Sequence, residues 1–332
     1  MKSIYSLFLE ADVLGVEASL FVKNGSKTNK NIFGGIISIL MACLITAGTL
    51  FFVLDFLNRK NFNLIANFED DPNVSYRNFH ETPFMIRLSG NTGRIIPNNY
   101  YNVRLNLGIF DEAVNSTHVA EKVDLEPCDI KKHLVNYTSL FKDIKEVNSY
   151  FCPIWQRKFD IQGIYGSTNF SYLHFNFSPC VNNNCPNKKS LDSALSVSYL
   201  DLITITNQIK HDNIHPKEKI LFKTRVSVSN TIFKRIWIYF DKVNYITDFG
   251  YIFEERNLEV FNNIKGYSVD VDLRNVKNAS FLWVDFVNNS QTTTFSRSYM
   301  KAQELLANIG GIIKGLTVCG MLITYSISIV NF

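Results

Sequence analysis

Two long apolar segments, one near each end of the chain, dominate the pattern of hydrophobic and polar positions. Residues 32–54 contain no charged residue, and the chain runs uncharged from Gly315 to its last residue. A helix of about 20 residues spans the ~30 Å hydrocarbon core of a bilayer. The pattern therefore predicts transmembrane helices at residues 32–56 and 305–332, with one large domain, residues 57–304, between them.

Between these segments, apolar and polar residues alternate with the period of two that is typical of β-strands. β-branched and aromatic residues fill the alternating stretches. Residues 129–147 have helix-like apolar spacing instead. The sequence predicts a β-rich, β-sandwich-like domain with a small helical insertion. The predicted strands are residues 84–88, 101–109, 159–165, 172–177, 195–206, 219–228, 232–245, 269–273 and 281–287.

The N-terminal arm, residues 1–31, precedes the first apolar segment. Its apolar residues predict either an interfacial helix on the membrane surface or a flexible segment with scattered apolar residues. Three lysines closely precede the first segment and two basic residues follow it. The positive-inside rule therefore favours a cytosolic arm by a small margin. At the other end, Phe332 lies inside apolar sequence with no basic residue after it, which predicts that further chain follows in the complete protein.

Cysteine usage indicates the compartment. Of the six cysteines, Cys128, Cys152, Cys180 and Cys185 lie between the two segments. Four cysteines allow three pairings, and sequence proximity favours Cys128–Cys152 and Cys180–Cys185. Such bonds indicate an oxidising compartment, either the endoplasmic reticulum lumen or the cell exterior. Zinc is the alternative, but the Cys180/Cys185 spacing is wide for a zinc knuckle and the other two cysteines are distant.

Seven Asn-x-Ser/Thr sequons also lie between the two segments. Their glycosylation would place this part of the chain in the lumen or outside the cell. Because the chain is rich in Asn, several sequons are expected by chance. The candidate glycosylation sites are Asn73, Asn115, Asn136, Asn169, Asn176, Asn278 and Asn288.

Charge and motifs exclude several classes of function. The net charge of +4 is thinly spread, and no basic stripe favours nucleic-acid binding. The sequence contains no nucleophile elbow, P-loop or HExxH motif. Asp248–Gly250 matches the kinase metal-binding triplet without its partner motifs, so it is interpreted as a turn that ends a strand. His211 and His215 are interpreted as parts of a turn. We expect no catalytic residues, no metal and no cofactor.

The second apolar segment carries two overlapping patterns. Ala307, Gly311 and Gly315 have small-xxx-small spacing, which lets another helix approach closely. The expected partner is the first segment or another subunit, and the alternative is ordinary membrane glycine.

Polar residues in the same segment recur at steps of three and four and so share one helix face. Such a face can line a water path, as in a channel. Alternatively, Thr and Ser hydroxyls bond back to their own helix, and the lysine extends to the headgroups. The residues of this polar face are Lys314, Thr317, Thr324 and Ser328, with Met321 between them.

Short segments spread over nearly the whole chain carry a family resemblance. They are Asp12–Gly15, Lys30–Ser38, Cys152-Pro153, the Cys180/Cys185 pair, Thr247–Glu254 and Arg297–Gly311. On these segments the chain resembles a large, mostly uncharacterised family of ciliate two-span membrane proteins. The span boundaries are also similar to those of cargo receptors that cycle between the endoplasmic reticulum and the Golgi. Trimeric two-span cation channels share the layout, but four cysteines do not match their cysteine-dense ectodomains.

Three functions are consistent with these observations. The first is a membrane glycoprotein whose domain binds other membrane or extracellular proteins, including copies of itself, at the cell surface, ciliary membrane or an endomembrane. The second is a subunit of an oligomeric two-span channel, and the third is a cargo receptor. Membrane lipids are partners in all three.

Overall fold

The chain folds as two units whose residues alternate along the sequence. The first unit comprises Met1–Ile65, Thr247–Asn257 and Ser296–Phe332, and the second comprises Ala66–Ile246 and Leu258–Phe295. Short stretches of the predicted domain, residues 57–304, group with the helices, and the predicted domain bounds stay a prediction. A computed structural model describes residues 16–22, 26–29, 32–71, 75–76, 79, 82–111, 116–156, 160–165, 167, 169–181, 184–272 and 280–330.

Two long helices belong to the first unit. Helix α1 spans Ile32–Asn58, and helix α5 spans Ala302–Val330. Both are long and apolar enough to cross a membrane, with a mean hydropathy of 2.5 and 1.7. Most of their side chains are exposed, as expected of helices in contact with lipid. The two helices indicate an integral membrane protein, and they begin and end within three residues of the predicted bounds.

The described part of the N-terminal arm is a β-hairpin. Strands β1 (Val16–Val22) and β2 (Ser26–Asn29) pair antiparallel. The predicted interfacial helix is therefore wrong for these residues.

β-strands dominate the described chain between the two long helices. Two of them, β14 and β15, are much longer than the sequence predicts, because they continue through polar stretches that lack clear alternation. The strands are β3 (Phe62–Asp70), β4 (Ser75–Tyr76), β5 (Phe84–Gly90), β6 (Tyr101–Asp111), β7 (Ser116–Pro127), β8 (Phe151–Ile154), β9 (Ile161–Gln162), β10 (Asn169–Pro179), β11 (Ser198–Ile209), β12 (Lys217–Val228), β13 (Phe233–Asp248), β14 (Arg256–Asp272) and β15 (Leu282–Tyr299).

One sheet of eleven strands forms the framework. Its strand order is β12-β11-β5-β8-β7-β6-β10-β15-β13-β14, and β3 pairs with β15. Strand β10 pairs antiparallel with β6 from Asn169 to Pro179, and β11 pairs antiparallel with β12 from Ser198 to Ile209. Strands β12 and β14 are therefore the two ends of this order.

The sheet folds over on itself around one apolar core. The Phe84 ring on β5 lies 4.7 Å from the Phe286 ring on β15, although four strands separate β5 from β15 in the sheet. Leu200 from β11 and Phe175 from β10 are also fully buried in this core. Two layers of strands that share one core match the predicted sandwich-like, β-rich domain, which is confirmed between the two apolar helices.

The Cys128–Cys152 disulfide closes a small insertion. A single helix over residues 129–147 is predicted, but the structure has only the short helices α2 (Ile130–His133) and α3 (Thr138–Phe141), with 3-10 turns between and after them. Glu146 adopts a left-handed φ of 56°, which is incompatible with one continuous helix over residues 129–147, and the 3-10 turn Val147–Ser149 follows it.

The apolar residues of this insertion nevertheless pack as their spacing predicts. Leu134 and Phe141 are fully buried and share a small core with Met85 of β5 and Ile203 of β11. A second disulfide, Cys180–Cys185, precedes helix α4 (Lys188–Ser196). The strand predicted at residues 195–206 begins instead at Ser198. The Asn187 side chain accepts a hydrogen bond from the Ser190 amide and so caps this helix.

Candidate functional site

Strand β14 is an end strand of the sheet and exposes large apolar side chains. Phe261 and Ile264 point into the protein and are 4% and 9% exposed. The side chains of Leu258, Val260, Tyr267 and Val271 are instead 46–57% exposed. Among the described residues, no strand pairs with the outer edge of β14. We call this outer edge, with its four exposed side chains, the β14 edge.

The opposite end of the sheet has a different character. Strand β12 reads KEKILFKTRVSV, with charged residues at five of its twelve positions. Its Ile220, Leu221 and Phe222 are only partly exposed. Charged side chains, lysine above all, prevent an edge strand from pairing with another chain. The sheet is therefore protected by charge at β12. At β14 the middle of the edge is occupied within the chain, because Asn207 Nδ2 of β11 donates a hydrogen bond of 2.6 Å to the Asn262 carbonyl and the Ile264 amide donates one of 2.9 Å to Thr206 Oγ1.

In the first unit, helices α1 and α5 pack closely at a glycine. A Cβ atom placed on Gly48 of α1 would lie 3.2 Å from Ile312 Cδ1 of α5. The predicted small-residue ridge on α5 does not pack against another helix in the described part of the chain. Ala307, Gly311 and Gly315 are exposed, and a Cβ placed on either glycine would meet no described atom within 4 Å. Packing of this ridge against the first helix is therefore not present in the described structure.

The predicted polar face of α5 is not uniform. Lys314 is exposed, but Thr324 is only 2% exposed. Thr317 Oγ1 donates a hydrogen bond of 2.7 Å to the Ile313 carbonyl, and Thr324 Oγ1 does the same to Gly320. These hydroxyls are thus satisfied by their own helix. The side chain of Ser328 lies outside the described residues.

A cation–aromatic cluster lies where α1 ends, in the first unit. Arg59 has a φ of 50°, and its amide donates to the Asp55 carbonyl, an arrangement that ends the helix. Its guanidinium lies 3.9 Å from the centre of the Tyr251 ring and donates a hydrogen bond of 2.6 Å to the Phe249 carbonyl. Cation–aromatic contacts of this kind contribute about 0.5–2 kcal/mol. They offset the cost of a left-handed arginine.

Asp248 organises the turn that follows β13. Its Oδ1 accepts hydrogen bonds from the amides of Gly250 (3.0 Å) and Glu255 (2.8 Å), and Lys301 Nζ lies 3.0 Å from Oδ2. Burial raises the pKa of this carboxyl, but the hydrogen bonds and the lysine outweigh that effect and hold the pKa below its usual range. The kinase-like triplet is therefore a turn at the end of a strand, as predicted.

The same unit buries an arginine whose burial the sequence does not predict. Arg297 is 1% exposed and donates a hydrogen bond of 3.2 Å to Thr247 Oγ1. Its guanidinium also lies 5.5 Å from the Tyr299 ring centre. The sequence marks Arg297 only as the first residue of the Arg297–Gly311 segment. Its burial was not predicted, because it depends on contacts with residues distant in sequence, such as Thr247.

A buried charge cluster in the second unit was also not predicted. Asp285 is fully buried, and its carboxylate accepts hydrogen bonds from Arg235 Nε at 2.5 Å and lies 2.6 Å from His174 Nδ1. The Arg235 guanidinium stacks 3.7 Å from the centre of the Trp237 ring. A buried carboxylate needs such partners, so we interpret the cluster as part of the fold.

A cavity of about 250 Å³ in the second unit lies beside the first disulfide. Its lining includes Glu126, which pairs with Lys132 and lies 2.5 Å from His133 Nε2. The hydrogen bond from Lys132 holds the pKa of Glu126 below its usual range. Because Lys132 balances this carboxylate, the cavity presents little net charge to a ligand. Among the described residues, no group of three His, Cys, Asp or Glu side chains is placed to bind a metal.

The predicted glycosylation sites differ in accessibility. Asn136 is exposed and Asn176 is half-buried in β10. Asn288 is 4% exposed, and its side-chain nitrogen donates a hydrogen bond of 2.9 Å to the Ile161 carbonyl. A glycan would attach to this nitrogen, so Asn288 does not suit glycosylation in the folded protein. Asn73, Asn115, Asn278 and the side chain of Asn169 lie outside the described residues.

These features define an integral membrane protein in which two apolar helices flank a β-rich domain in the sequence. Residues 84–301 match the family described as the uncharacterised 80 kDa protein N-terminal domain. Since this match covers more than half of the chain, the protein belongs to that family. The ciliate family expected from the sequence stays a prediction. No curated protein sequence matches the chain.

Solved structures to which the chain is similar include a chloride channel, Erv41p and a P2X receptor. A proton-activated chloride channel solved by cryo-EM is 10% identical, with 91% of this chain and 100% of that chain covered and a TM-score of 0.33. Erv41p is 6% identical over 70% of this chain and 99% of its own, with a TM-score of 0.24. A P2X receptor from the Gulf Coast tick is 11% identical, with 88% of this chain and 99% of that chain covered and a TM-score of 0.15.

Proposed function

We propose that this chain is a non-enzymatic, two-pass membrane protein whose β-rich domain binds another copy of the chain along the β14 edge. The observation that carries the proposal is a 17-residue end strand with four exposed apolar side chains. No described strand pairs with this edge, and side chains of β11 bond it only at Asn262 and Ile264. Sheet edges without a neighbouring strand favour pairing with another chain. Strand β12, at the other end of the sheet, carries charged residues in place of exposed large apolar ones.

The second helix supports self-association independently. The ridge of Ala307, Gly311 and Gly315 is exposed in the single chain. Small residues at this spacing let a second helix approach closely in lipid. The channel alternative receives less support, because Thr317 and Thr324 bond to their own helix and Thr324 is buried.

The two disulfides indicate the cellular compartment of the β-rich domain. Two disulfides in one domain are typical of an oxidising environment. We infer that the β-rich domain is extracytoplasmic and the N-terminal arm is cytosolic, at the cell surface, the ciliary membrane or an endomembrane. Membrane lipids and other membrane or extracellular proteins are further expected partners.

The β14 edge is tested by placing a charge on it. Val260→Lys puts an ammonium on the edge, and Val197→Lys is the matched control, since both valines are 54% exposed and only Val260 lies on β14. Burying a valine side chain contributes about 1.5–3 kcal/mol, and 1.4 kcal/mol is tenfold in affinity. We therefore expect Val260→Lys to weaken self-association at least tenfold.

The measurement is the mass of the purified full-length chain in mild detergent, by light scattering over a concentration series. Support requires an oligomer that Val260→Lys dissociates and Val197→Lys leaves intact. A monomer at every concentration, or an oligomer equally insensitive to both substitutions, would refute binding along β14.

A further inference from the structure

A short loop in the first unit exposes three consecutive large apolar residues. Tyr251, Ile252 and Phe253 are 49%, 54% and 82% exposed. The loop connects β13 to β14 and is part of the Thr247–Glu254 segment noted in the sequence. Three large apolar residues in a row at the tip of a loop are unfavourable in water, so their exposure requires a reason.

Hydrogen bonds attach this loop to the start of the second long helix. The amide of Ala302, the first residue of α5, donates a hydrogen bond of 2.8 Å to the Tyr251 carbonyl. Gln303 Nε2 donates one of 3.1 Å to the Ile252 carbonyl. The loop is therefore held at the N-terminal end of α5.

The loop also contacts the end of the first long helix. The Tyr251 ring lies 5.4 Å from the Phe56 ring and stacks on the Arg59 guanidinium. The uncharged stretch of α1 ends at Leu54, directly before Asp55. If α1 crosses the bilayer, Phe56 lies at the boundary between acyl chains and headgroups. The loop lies at the same level, where aromatic residues are enriched in membrane proteins.

The loop is also fixed in shape before it meets any partner. Asp248 accepts hydrogen bonds from amides on both sides of the tip, Gly250 and Glu255. The Phe249 amide donates a further hydrogen bond of 2.9 Å to the Glu255 carbonyl. A tip held in one conformation loses little conformational entropy when it inserts.

We propose that Tyr251–Phe253 is an interfacial anchor that inserts into the headgroup–acyl boundary of the bilayer beside the two helices. The expected partner of this loop tip is lipid, because the tip adjoins the ends of both membrane helices. The anchor would fix the depth of the helix ends in the bilayer. This inference rests on the two helices crossing the membrane and is independent of self-association through β14.

The test is photo-crosslinking in a bilayer. The full chain carries a benzophenone amino acid in place of Phe253 or, as the control, in place of Ile214, which is 71% exposed in the turn between β11 and β12. Each protein is reconstituted in nanodiscs of phosphatidylcholine with a minor fraction of phosphatidylserine. Mass spectrometry then identifies the adducts formed on illumination.

We expect lipid adducts at position 253 at least tenfold above those at position 214, in protein that elutes like the unsubstituted chain. Equal lipid labelling at the two positions would overturn the proposal. Adducts at position 253 that join two protein chains would also overturn it, since the loop would then be a protein interface.

Discussion

Adding one methyl group at Gly250 is expected to disrupt the turn after β13. A Cβ atom on Gly250 would lie 1.6 Å from the Phe253 carbonyl oxygen and 2.8 Å from the Phe253 carbonyl carbon. Atoms cannot approach so closely, and the obstacle is backbone, so the chain must move by more than an ångström. Gly250→Ala therefore cannot preserve the turn seen here.

The cost follows from the hydrogen bonds that the movement breaks. Two amides, of Gly250 and Glu255, donate to the Asp248 carboxylate, and the Phe249 amide donates to the Glu255 carbonyl. A hydrogen bond to a charged group contributes about 1.5–3 kcal/mol and a neutral one about 1 kcal/mol. Loss of most of these contacts would cost about 4 kcal/mol, which corresponds to a fall of about 10 °C in the unfolding temperature.

The assay is thermal unfolding of the purified full-length chain in mild detergent, followed by tryptophan fluorescence. Gly266→Ala is the control, because a Cβ on this glycine of β14 meets no described atom within 4 Å. It should leave the unfolding temperature unchanged or slightly raised, since alanine restricts the unfolded chain. Hydrogen exchange should accelerate at residues 248–255 in Gly250→Ala alone. If both variants unfold at the wild-type temperature, the steric reasoning is refuted.

Two further predictions concern the disulfides and acid stability. Replacing both Cys128 and Cys152 by Ser should lower the free energy of unfolding by about 3.5 kcal/mol, and replacing Cys180 and Cys185 should lower it by about 2 kcal/mol. The difference arises because the first disulfide closes the longer loop, with a sequence separation of 24 against 5. If thermal unfolding shows the opposite order, loop entropy is not the cause. Asp248 has a lowered folded-state pKa, so its stabilising contribution is present above the ordinary value of about 3.9 and is lost as the pH falls through the folded value. Asp248→Asn should therefore be less stable than wild type at pH 7, and this difference in stability should narrow below about pH 4. A difference that stays constant across a pH series would show that the ionised Asp248 carboxylate is not its source.

The long helices could be predicted from sequence because their signal is local. An uncharged stretch of this length has one stable arrangement in a bilayer, a helix that satisfies its own backbone groups. The β-rich domain was predictable for a similar reason, since alternation along β6 and β10 directly reflects which side chains enter the core. The core positions of β10 illustrate this, because Leu173, Phe175 and Phe177 are all fully buried.

Elements whose structure depends on distant contacts were not predictable. The insertion has helix-like apolar spacing, yet it forms only single turns, because Leu134 and Phe141 pack against Met85 and Ile203 of another part of the sheet. Strand β14 was predicted only at its end. Its first half reads RNLEVFNNI, where polar residues interrupt the alternation. The β14 edge depends on the strand order, which no local pattern specifies.

The second membrane helix shows how the structure separates two patterns that overlap in sequence. Thr324 comes nine residues after Gly315, and at 100° per residue the two positions lie about half a turn apart around the helix. Thr324 is buried, whereas Gly315 is exposed. A second chain that approaches the glycine ridge would therefore leave Thr324 on the opposite side of the helix. Assembly through this ridge thus does not turn the buried threonine toward a shared axis, so the same geometry that favours self-association disfavours a pore lined by Thr324.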